Sequence, residues 1–348
     1  MCTHGCSRIA LSGLPPLLYN TDMPNICAIF THFNGKDRTL TCLERLTRQT
    51  RCPQHIVIIN NGAADDDTLP AARRMAEQAF GSTEVLHILQ MQRNLGNAGG
   101  CAHGMNYAFR ELGADYVWAL DDDSWPRPDT LQELLAVSGG PLELVMSLVI
   151  DPSKGDELSW PLTVGTGDAY SGDWHHITER AQLPDTNRIP SRGGWLGALV
   201  PRDAWKKAGT PTPELFIRGE DEEYPWKIRR AGYHYITARR SELEHPSARI
   251  PLLCYRCGKL SFFYEPGLPV DRQYYKTRNW AWLQRLKFPH NYPKRLLQCG
   301  FYIIMTLNAL LATQELSISR VYNLFRALHN GFYGKLRPYQ EEKNEAKH

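Results

Sequence analysis

The sequence has no internal repeat, no low-complexity segment and no long uninterrupted apolar run, which excludes a repeat architecture and a clear transmembrane span. The best apolar stretch, residues 296–312, is interrupted by Gln298, Thr306 and Asn308 and is barely long enough to span a bilayer. Residues 9–18 are weakly apolar and lack a basic start, so they do not match a secretory signal. With 42% apolar and 22% charged residues, the 348-residue chain has an ordinary globular composition.

A paired framework of cysteines is also missing, because the nine cysteines are odd in number and scattered along the chain. A chain of this length does not need disulfide staples, so we expect free thiols in the cytoplasm. Cys254 and Cys257 form a single C-x-x-C without a second pair, and His245 lies too far upstream for a zinc ribbon. A zinc site is therefore not expected there.

Charge is distributed unevenly along the chain. Residues 1–248 carry 24 Lys and Arg against 31 Asp and Glu, whereas residues 249–348 carry 16 against 6. The basic part is typical of a surface that meets a polyanion or an anionic membrane, although a solvated basic face is the alternative. Because this part has no recognisable nucleic-acid motif, we do not expect a nucleic-acid partner.

Short apolar runs alternate with amphipathic stretches through the first half of the chain, which predicts a doubly wound, mostly parallel α/β sheet of Rossmann-like topology. We predict strands at 26–31, 55–60, 85–90, 116–120, 144–150 and 233–237, and helices at 38–50, 70–80, 98–112, 128–137, 201–209 and 221–231. Residues 151–190 are predicted to form loops or short antiparallel strands, and the chain is predicted to be mainly helical from about residue 271. The expected organisation is a disordered N-terminal tail at 1–23, an α/β domain at 24–250 and a basic helical region at 251–348.

The first four predicted strands end in polar residues, and functional groups of such sheets collect at the carboxyl ends of the strands. The most pronounced end is Asp121-Asp122-Asp123, which directly follows an apolar strand. Three neighbouring carboxylates repel one another, and a divalent cation with oxygen ligands would compensate for this repulsion. Asp121 and Asp123, two residues apart in an extended segment, point the same way. A solvated acidic turn is the alternative.

Residues 94–100, Asn-Leu-Gly-Asn-Ala-Gly-Gly, form a Gly-rich loop that opens a predicted helix. Small residues let backbone N–H groups approach phosphate, and the helix N-terminus favours anions. An ordinary helix start that uses glycine is an equal alternative.

A second acidic cluster, Glu220-Asp221-Glu222-Glu223, begins another predicted helix. A carboxylate there could remove the proton of an attacking hydroxyl, although the helix dipole alone also favours acidic residues in a first turn. His245 could complete a metal site as a neutral imidazole or have a structural role. Trp195, within a Gly-Gly-Trp-Leu-Gly segment, could stack on a sugar ring or pack in the core.

Together these segments resemble the inverting glycosyltransferases of family 2, which have the GT-A fold, and most of all the bacterial galactofuranosyl- and rhamnosyltransferases. The matching segments cover roughly residues 24–280 in the order and spacing of the family. They are NLGNAGGCAHGMNYA, VWALDDDSWPRPDTL, GGWLGALVPRDAW, ELFIRGEDEEYPWKIRRAGY, EHPSA and YYKTRNW.

The resemblance implies a role for each matching residue. Asp121, Asp123 and His245 would hold Mn²⁺ or Mg²⁺, and Asp221 would be the catalytic base. Residues that would contact the donor nucleotide-sugar are Thr31, Phe33, Asn61, Asn94, Gly96, Gly99 and Asp122, and those on the acceptor side are Trp195 and Glu220. Where many members carry an aspartate, this chain has Asn60-Asn61-Gly62 at the end of the second strand, which weakens the assignment of base recognition there.

The implied reaction is transfer of galactofuranose from UDP-galactofuranose to a growing cell-surface glycan on a lipid carrier. A dTDP-rhamnose donor is the alternative within the family. We expect a cytoplasmic enzyme held at the inner face of the membrane, because Lys287, Lys294 and Arg295 adjoin the apolar residues 296–312. A buried helix there is the alternative. Two other classes stay open: a non-catalytic nucleotide- or carbohydrate-binding protein of this fold, and a sugar-phosphate nucleotidyltransferase.

Overall fold

The computed structural model describes residues 23–140, 142–165, 173–247, 253–257 and 260–339, so the predicted N-terminal tail lies almost entirely outside the described residues. The strands are β1 (Ile26–His32), β2 (His55–Asn60), β3 (Leu86–Gln90), β4 (Tyr116–Ala119), β5 (Trp125–Pro126), β6 (Glu143–Asp151), β7 (Glu157–Leu158), β8 (Leu162–Gly165), β9 (Trp174–Ile177), β10 (Arg188–Ser191), β11 (Ala198–Pro201), β12 (His234–Glu244), β13 (Leu253–Cys257) and β14 (Leu260–Tyr264). The helices are α1 (Lys36–Thr47), α2 (Thr68–Phe80), α3 (Gly96–Arg110), α4 (Thr130–Val137), α5 (Arg202–Ala208), α6 (Glu220–Arg230), α7 (Val270–Lys287), α8 (Tyr292–Ala312) and α9 (Ile318–Phe332).

One mixed sheet contains the strands from β1 to β12, and the predicted mostly parallel α/β architecture is confirmed. Its strand order is β3-β2-β1-β4-β11-β6-β12-β10-β8-β9, with β5 on β12 and β7 on β6. β3, β2, β1 and β4 run parallel, as do β6 and β12. β11 lies antiparallel between β4 and β6, and the segment predicted as loops or short antiparallel strands adds β7, β8, β9 and β10.

Alternate side chains of β1 point to opposite faces of the sheet and enter two separate cores. Ile26, Ala28 and Phe30 pack with residues of α1, α2 and α4. Cys27 and Ile29 pack with residues of α3, α5 and α6. A strand covered by helices on both faces can be apolar along its whole length, which explains why the first four strands were readable from sequence.

β12 is longer than predicted, because it continues past residue 237 to Glu244. The extension is polar and begins after a register shift between Ala238 and Glu242. Arg127 pairs with both Glu242 and Glu244, so ion pairs stabilise a strand that has little apolar pattern. The extension carries His245 to the same end of the sheet as the aspartates.

The chain after residue 269 is mainly helical, as predicted, with α7, α8 and α9 packed around a separate apolar cluster. α7 also reaches back to the sheet domain, because Tyr274 and Tyr275 pack against Phe216 and Ile217 in the loop before α6. The division at residue 250 stays a prediction.

α8 is the one helix in the described part of the chain that is long and apolar enough to cross a membrane by length and composition. It has 21 residues, and 33% of its apolar window is buried. One side of α8 is buried in the C-terminal apolar cluster and the other side is open to solvent, so the peripheral membrane helix and the buried helix both stay open.

Candidate active site

The three aspartates follow β4 at the carboxyl end of the parallel strands, as the sequence predicted. The turn is locked by Ser124, whose hydroxyl donates to the carbonyl oxygen of Asp121 (2.8 Å) and accepts from its backbone N–H (2.9 Å). Burial, followed by the charge of Asp123, raises the pKa of Asp121 to about 7. The cluster therefore concentrates negative charge that a cation would relieve.

Asn97, in the first turn of α3, joins the two acidic clusters. Its amide nitrogen lies 3.2 Å from Oδ1 of Asp121 and 3.3 Å from Oε1 of Glu220. Its Oδ1 accepts from the hydroxyl of Thr31 at 2.9 Å. The ends of β1 and β4 and the starts of α3 and α6 thus meet around Asn97.

Glu220 and Asp221 begin α6 and differ in environment. Glu220 is 6% exposed, and burial, together with the charges of Asp221 and Asp121, raises its pKa to about 8. Asp221 is exposed, and its Oδ1 accepts from the backbone N–H of Gly219 at 3.1 Å. Of the two, Asp221 has the carboxylate that an incoming hydroxyl can reach.

His245 pairs with Asp123 across the cleft mouth, with 3.5 Å between Nε2 and Oδ1. This contact raises the pKa of His245 against the effect of burial. Trp160, 41% exposed, lies edge-on to the imidazole with 5.1 Å between ring centroids. An imidazole and two carboxylates are donors that Mn²⁺ accepts. Among the described residues, however, no group of three or more His, Cys, Asp and Glu side chains is already arranged as a metal cage.

Asp122 pairs with Arg38 of α1. Nη2 of Arg38 lies 3.2 Å from its Oδ2. Burial raises the pKa of Asp122, and Arg38 acts in the opposite direction. The side chain of Arg38 is half exposed, so a positive group stands at the rim of an otherwise acidic cleft.

Three backbone N–H groups of the Gly-rich loop, residues 94–100, donate to other groups of the protein and not to a phosphate. The N–H groups of Leu95, Gly96 and Ala98 donate to Asn61 Oδ1, Asn94 Oδ1 and the carbonyl oxygen of Phe216. These three donors are therefore occupied within the protein. The glycines allow close packing at this helix start, and the contact of the loop with the donor stays a prediction.

Gly96 shows most clearly why glycine is needed in this loop. Its φ is +68°, and a Cβ added there would lie 2.1 Å from the carbonyl oxygen of Phe216. Gly99 packs closely as well, since an added Cβ would lie 2.7 Å from Cβ of Leu95.

The remaining predicted donor residues lie on the same rim. Phe33 is 47% exposed just after β1, where its ring is open for stacking. Asn61 is 6% exposed and supports the loop through the Leu95 N–H and the Gly96 carbonyl oxygen. Asn61 is thus in place at the strand end, with its amide engaged by the protein.

Trp195 lies in the core, where it is 2% exposed and packs edge-on against Tyr224. Core packing, one of the two interpretations of this residue, is therefore what the conformation provides. An exposed aromatic ring beside His245 is Trp160, in a segment that sequence analysis treated as irregular. The sequence signals for Asn97, Arg38 and Trp160 are weak, because each acts through partners distant along the chain.

Comparisons with known proteins show what this chain is similar to. Residues 27–196 match the family model described as glycosyl transferase family 2. The protein named galactofuranosyltransferase GlfT1 of Mycolicibacterium smegmatis is 27% identical over 303 residues, which covers 83% of this chain and 93% of that protein. GlfT1 of Mycobacterium tuberculosis is 27% identical over 260 residues, or 73% of this chain and 80% of that protein.

Solved structures of similar shape include the mannosyltransferase PcManGT from Pyrobaculum calidifontis in complex with GDP-Man and Mn²⁺. It has a TM-score of 0.48 and 16% identity and covers 90% of this chain and 89% of that one. S. aureus TarS has a TM-score of 0.46 and 13% identity and covers 75% of this chain and 40% of that one.

Proposed function

We propose that this chain is a metal-dependent inverting glycosyltransferase that uses UDP-galactofuranose, because residues 27–196 match the family model of glycosyl transferase family 2. The donor assignment is supported by its likeness to proteins named galactofuranosyltransferase along most of the chain. The non-catalytic binding protein and the nucleotidyltransferase find no support in these comparisons.

The observation that carries the proposal is the bridge made by Asn97. The Asn97 side chain contacts both the acidic turn after β4 and the acidic start of α6. One carboxylate group is thereby available for the leaving diphosphate and its cation, and another for the nucleophile, in a single cleft.

In the proposed reaction, Asp221 takes the proton of an acceptor hydroxyl while its oxygen attacks the anomeric carbon. The bond from that carbon to the diphosphate oxygen breaks on the opposite side, so the configuration inverts and UDP leaves. Glu220, a buried carboxyl with a raised pKa, would line the acceptor side.

Asp121, Asp123 and His245 would hold Mn²⁺ or Mg²⁺, which neutralises charge on the departing diphosphate. The chemistry of this donor set fits such a cation. On the acceptor side, the exposed ring of Trp160 is better placed for stacking than the core residue Trp195.

The proposed acceptor is a growing cell-surface glycan on a lipid carrier, met at the inner face of the cytoplasmic membrane. Support comes from the outward side of α8, where four exposed apolar side chains form one surface: Leu296, Leu297, Ile304 and Leu311. The sequence from Arg272 to Gln314 contains Lys and Arg but no Asp or Glu. Apolar side chains flanked by positive charge are typical of a peripheral membrane helix.

The test is transfer from UDP-galactofuranose to a synthetic galactofuranosyl disaccharide with Mn²⁺ present. Asp221→Asn should lower kcat by roughly 10²- to 10⁴-fold, because a general base contributes that much, while UDP binding stays near wild type. Glu222→Gln is the matched control, since Glu222 is an exposed carboxylate in the same helical turn. Transfer by Asp221→Asn at near wild-type rate would show that the base is assigned wrongly.

A further inference from the structure

The loop that leads into α6, residues 214–219, has a strained backbone. Phe216 has φ +65°, Arg218 has φ +66° and Gly219 has φ +110°. The left-handed region is unfavourable for residues with a Cβ atom, so Phe216 and Arg218 remain there only because surrounding groups hold them.

Asn279 of α7 is one of those groups. Its amide nitrogen lies 2.9 Å from the carbonyl oxygen of Leu215 and 3.0 Å from that of Ile217, and it also contacts the carbonyl oxygen of Arg218. Asn279 is 1% exposed, so water does not compete for these carbonyls. A single buried amide therefore fixes the path of the loop.

Arg278, which is fully buried, orients that amide. Its Nε donates to Oδ1 of Asn279 at 2.9 Å, which directs the amide nitrogen of Asn279 towards the loop. Its Nη2 donates to the carbonyl oxygens of Glu214 (2.8 Å) and Leu215 (3.0 Å). The two neighbouring residues together clamp the loop along its length.

The clamped loop contacts both sides of the active site. The carbonyl oxygen of Phe216 accepts from the N–H of Ala98 at 3.1 Å, directly after the Asn97 bridge. At its other end, the N–H of Gly219 donates to Asp221 Oδ1 at 3.1 Å. The loop therefore sets the separation between the start of α3 and the start of α6.

The C-terminal helices in turn hold Arg278. A Cβ added to Gly331 of α9 would lie 2.1 Å from the carbonyl oxygen of Arg278, so α9 packs directly on the α7 backbone there. Nη1 of Arg278 donates to the carbonyl oxygen of Arg337, beyond α9, at 2.6 Å.

We propose that Arg278 and Asn279 are positioning residues of the transfer reaction, which aim Asp221 at the acceptor by holding the strained loop 214–219. The helical C-terminal region therefore contributes to the transfer reaction by holding this loop in place. This inference rests on the proposed role of Asp221 as the base.

The test compares Asn279→Ala and Arg278→Lys with Thr277→Val in the full chain, with UDP-galactofuranose, Mn²⁺ and the synthetic acceptor. A misplacement of about 1 Å costs roughly 10²-fold, so Asn279→Ala should lower kcat per folded molecule by about that factor. KM should change by less than about 3-fold, because the loss falls on the transition state. Arg278→Lys should give an intermediate loss, since one ammonium cannot replace a fork of donors.

Thr277→Val is the matched control, because Thr277 is 1% exposed on the same helix and contacts Tyr302 of α8 instead of the loop. It should keep the wild-type kcat. A second readout separates positioning from simple loss of fold: amide hydrogen exchange at residues 214–219 should accelerate in Asn279→Ala. Adding Arg218→Gly should restore part of kcat, because glycine adopts positive φ without strain.

A wild-type kcat in folded Asn279→Ala would overturn the inference. Slowed transfer with unchanged exchange at residues 214–219 would overturn it as well. The proposed function fails by a separate result, which is wild-type transfer by Asp221→Asn.

Discussion

At the scale of single residues, the cleft contains polar atoms that lack partners within the described part of the protein. Oε2 of Glu220 and Nδ1 of His245 are both buried without a hydrogen bond. An unpaired buried polar atom costs about 1–3 kcal/mol, and natural proteins keep few of them. Their presence at one cleft is consistent with a site whose hydrogen bonds are completed by substrate.

The raised pKa of Glu220 predicts a specific pH dependence of stability. Its pKa rises from 4.5 to about 8 on folding, so between these values the folded protein retains a proton that the unfolded chain has lost. Stability should therefore fall as the pH rises through this window. Glu220→Gln, which has no such proton, should exceed the wild type in free energy of unfolding at pH 8 by on the order of 2–5 kcal/mol.

Urea unfolding in EDTA at pH 5 and pH 8 measures this difference. At pH 5 the advantage of Glu220→Gln should nearly vanish, and Glu222→Gln should show no comparable pH-dependent gain. An advantage of equal size at both pH values would contradict the assigned pKa.

At the scale of elements, α8 differs from its neighbours in how little of its apolar surface the protein covers. Cys299, Tyr302 and Thr306 face inward, whereas Leu297 is 71% exposed and Ile304 is 57% exposed. A soluble helix usually exposes its polar side, so the proposed membrane contact rests on this exposed apolar surface. α9 adds Ile318, which is 91% exposed.

We predict that the protein floats with anionic vesicles at low salt and that Leu297→Gln with Ile304→Gln lowers the bound fraction at least about 5-fold, because both side chains lose membrane burial. Lys294→Gln should weaken binding and its salt dependence. Leu142→Gln is the matched control, because Leu142, just before β6, is an exposed leucine with 43% of its surface accessible. A wild-type protein that stays out of the vesicle fraction would rule out this role of α8.

At the scale of the whole molecule, the site is assembled from units that are far apart in sequence. Its residues come from β1, β4, α3, α6 and the end of β12. α7 holds the loop before α6 in place. A ligand that binds across these units stabilises the whole folded state by mass action.

A thermal-shift comparison of UDP, dTDP and GDP follows from this assembly. With Mn²⁺, UDP at about 100 times its Kd should stabilise the fold by about 2.7 kcal/mol, and dTDP and GDP at the same concentration should do so less. Asp121→Asn should remove most of the metal-dependent part. Asp203→Asn is the control, because Asp203 is an exposed carboxylate that pairs with Lys206. This substitution should leave the metal-dependent stabilisation unchanged.

A larger shift with dTDP would redirect the donor assignment to the rhamnose alternative. A metal-dependent shift that survives Asp121→Asn would mean that the cation is held elsewhere.

What the sequence by itself determined was the local pattern. The strands around residues 26–31, 55–60 and 116–120 were found within two residues, because strands buried on both faces are apolar throughout. The acidic turn at Asp121 and the acidic start of α6 were also readable, since each is a contiguous run.

Only the tertiary structure decided which of these groups meet and which are covered. Asn97 joins Glu220 across 123 residues of sequence, and Asn279 reaches Ile217 across 62. The sequence around Trp195 does not show that this residue packs in the core, and the sequence around Trp160 does not show that it is exposed. The physical reason is that periodicity reports the neighbours of a residue along the chain, whereas cleft geometry depends on contacts that form only when distant segments pack.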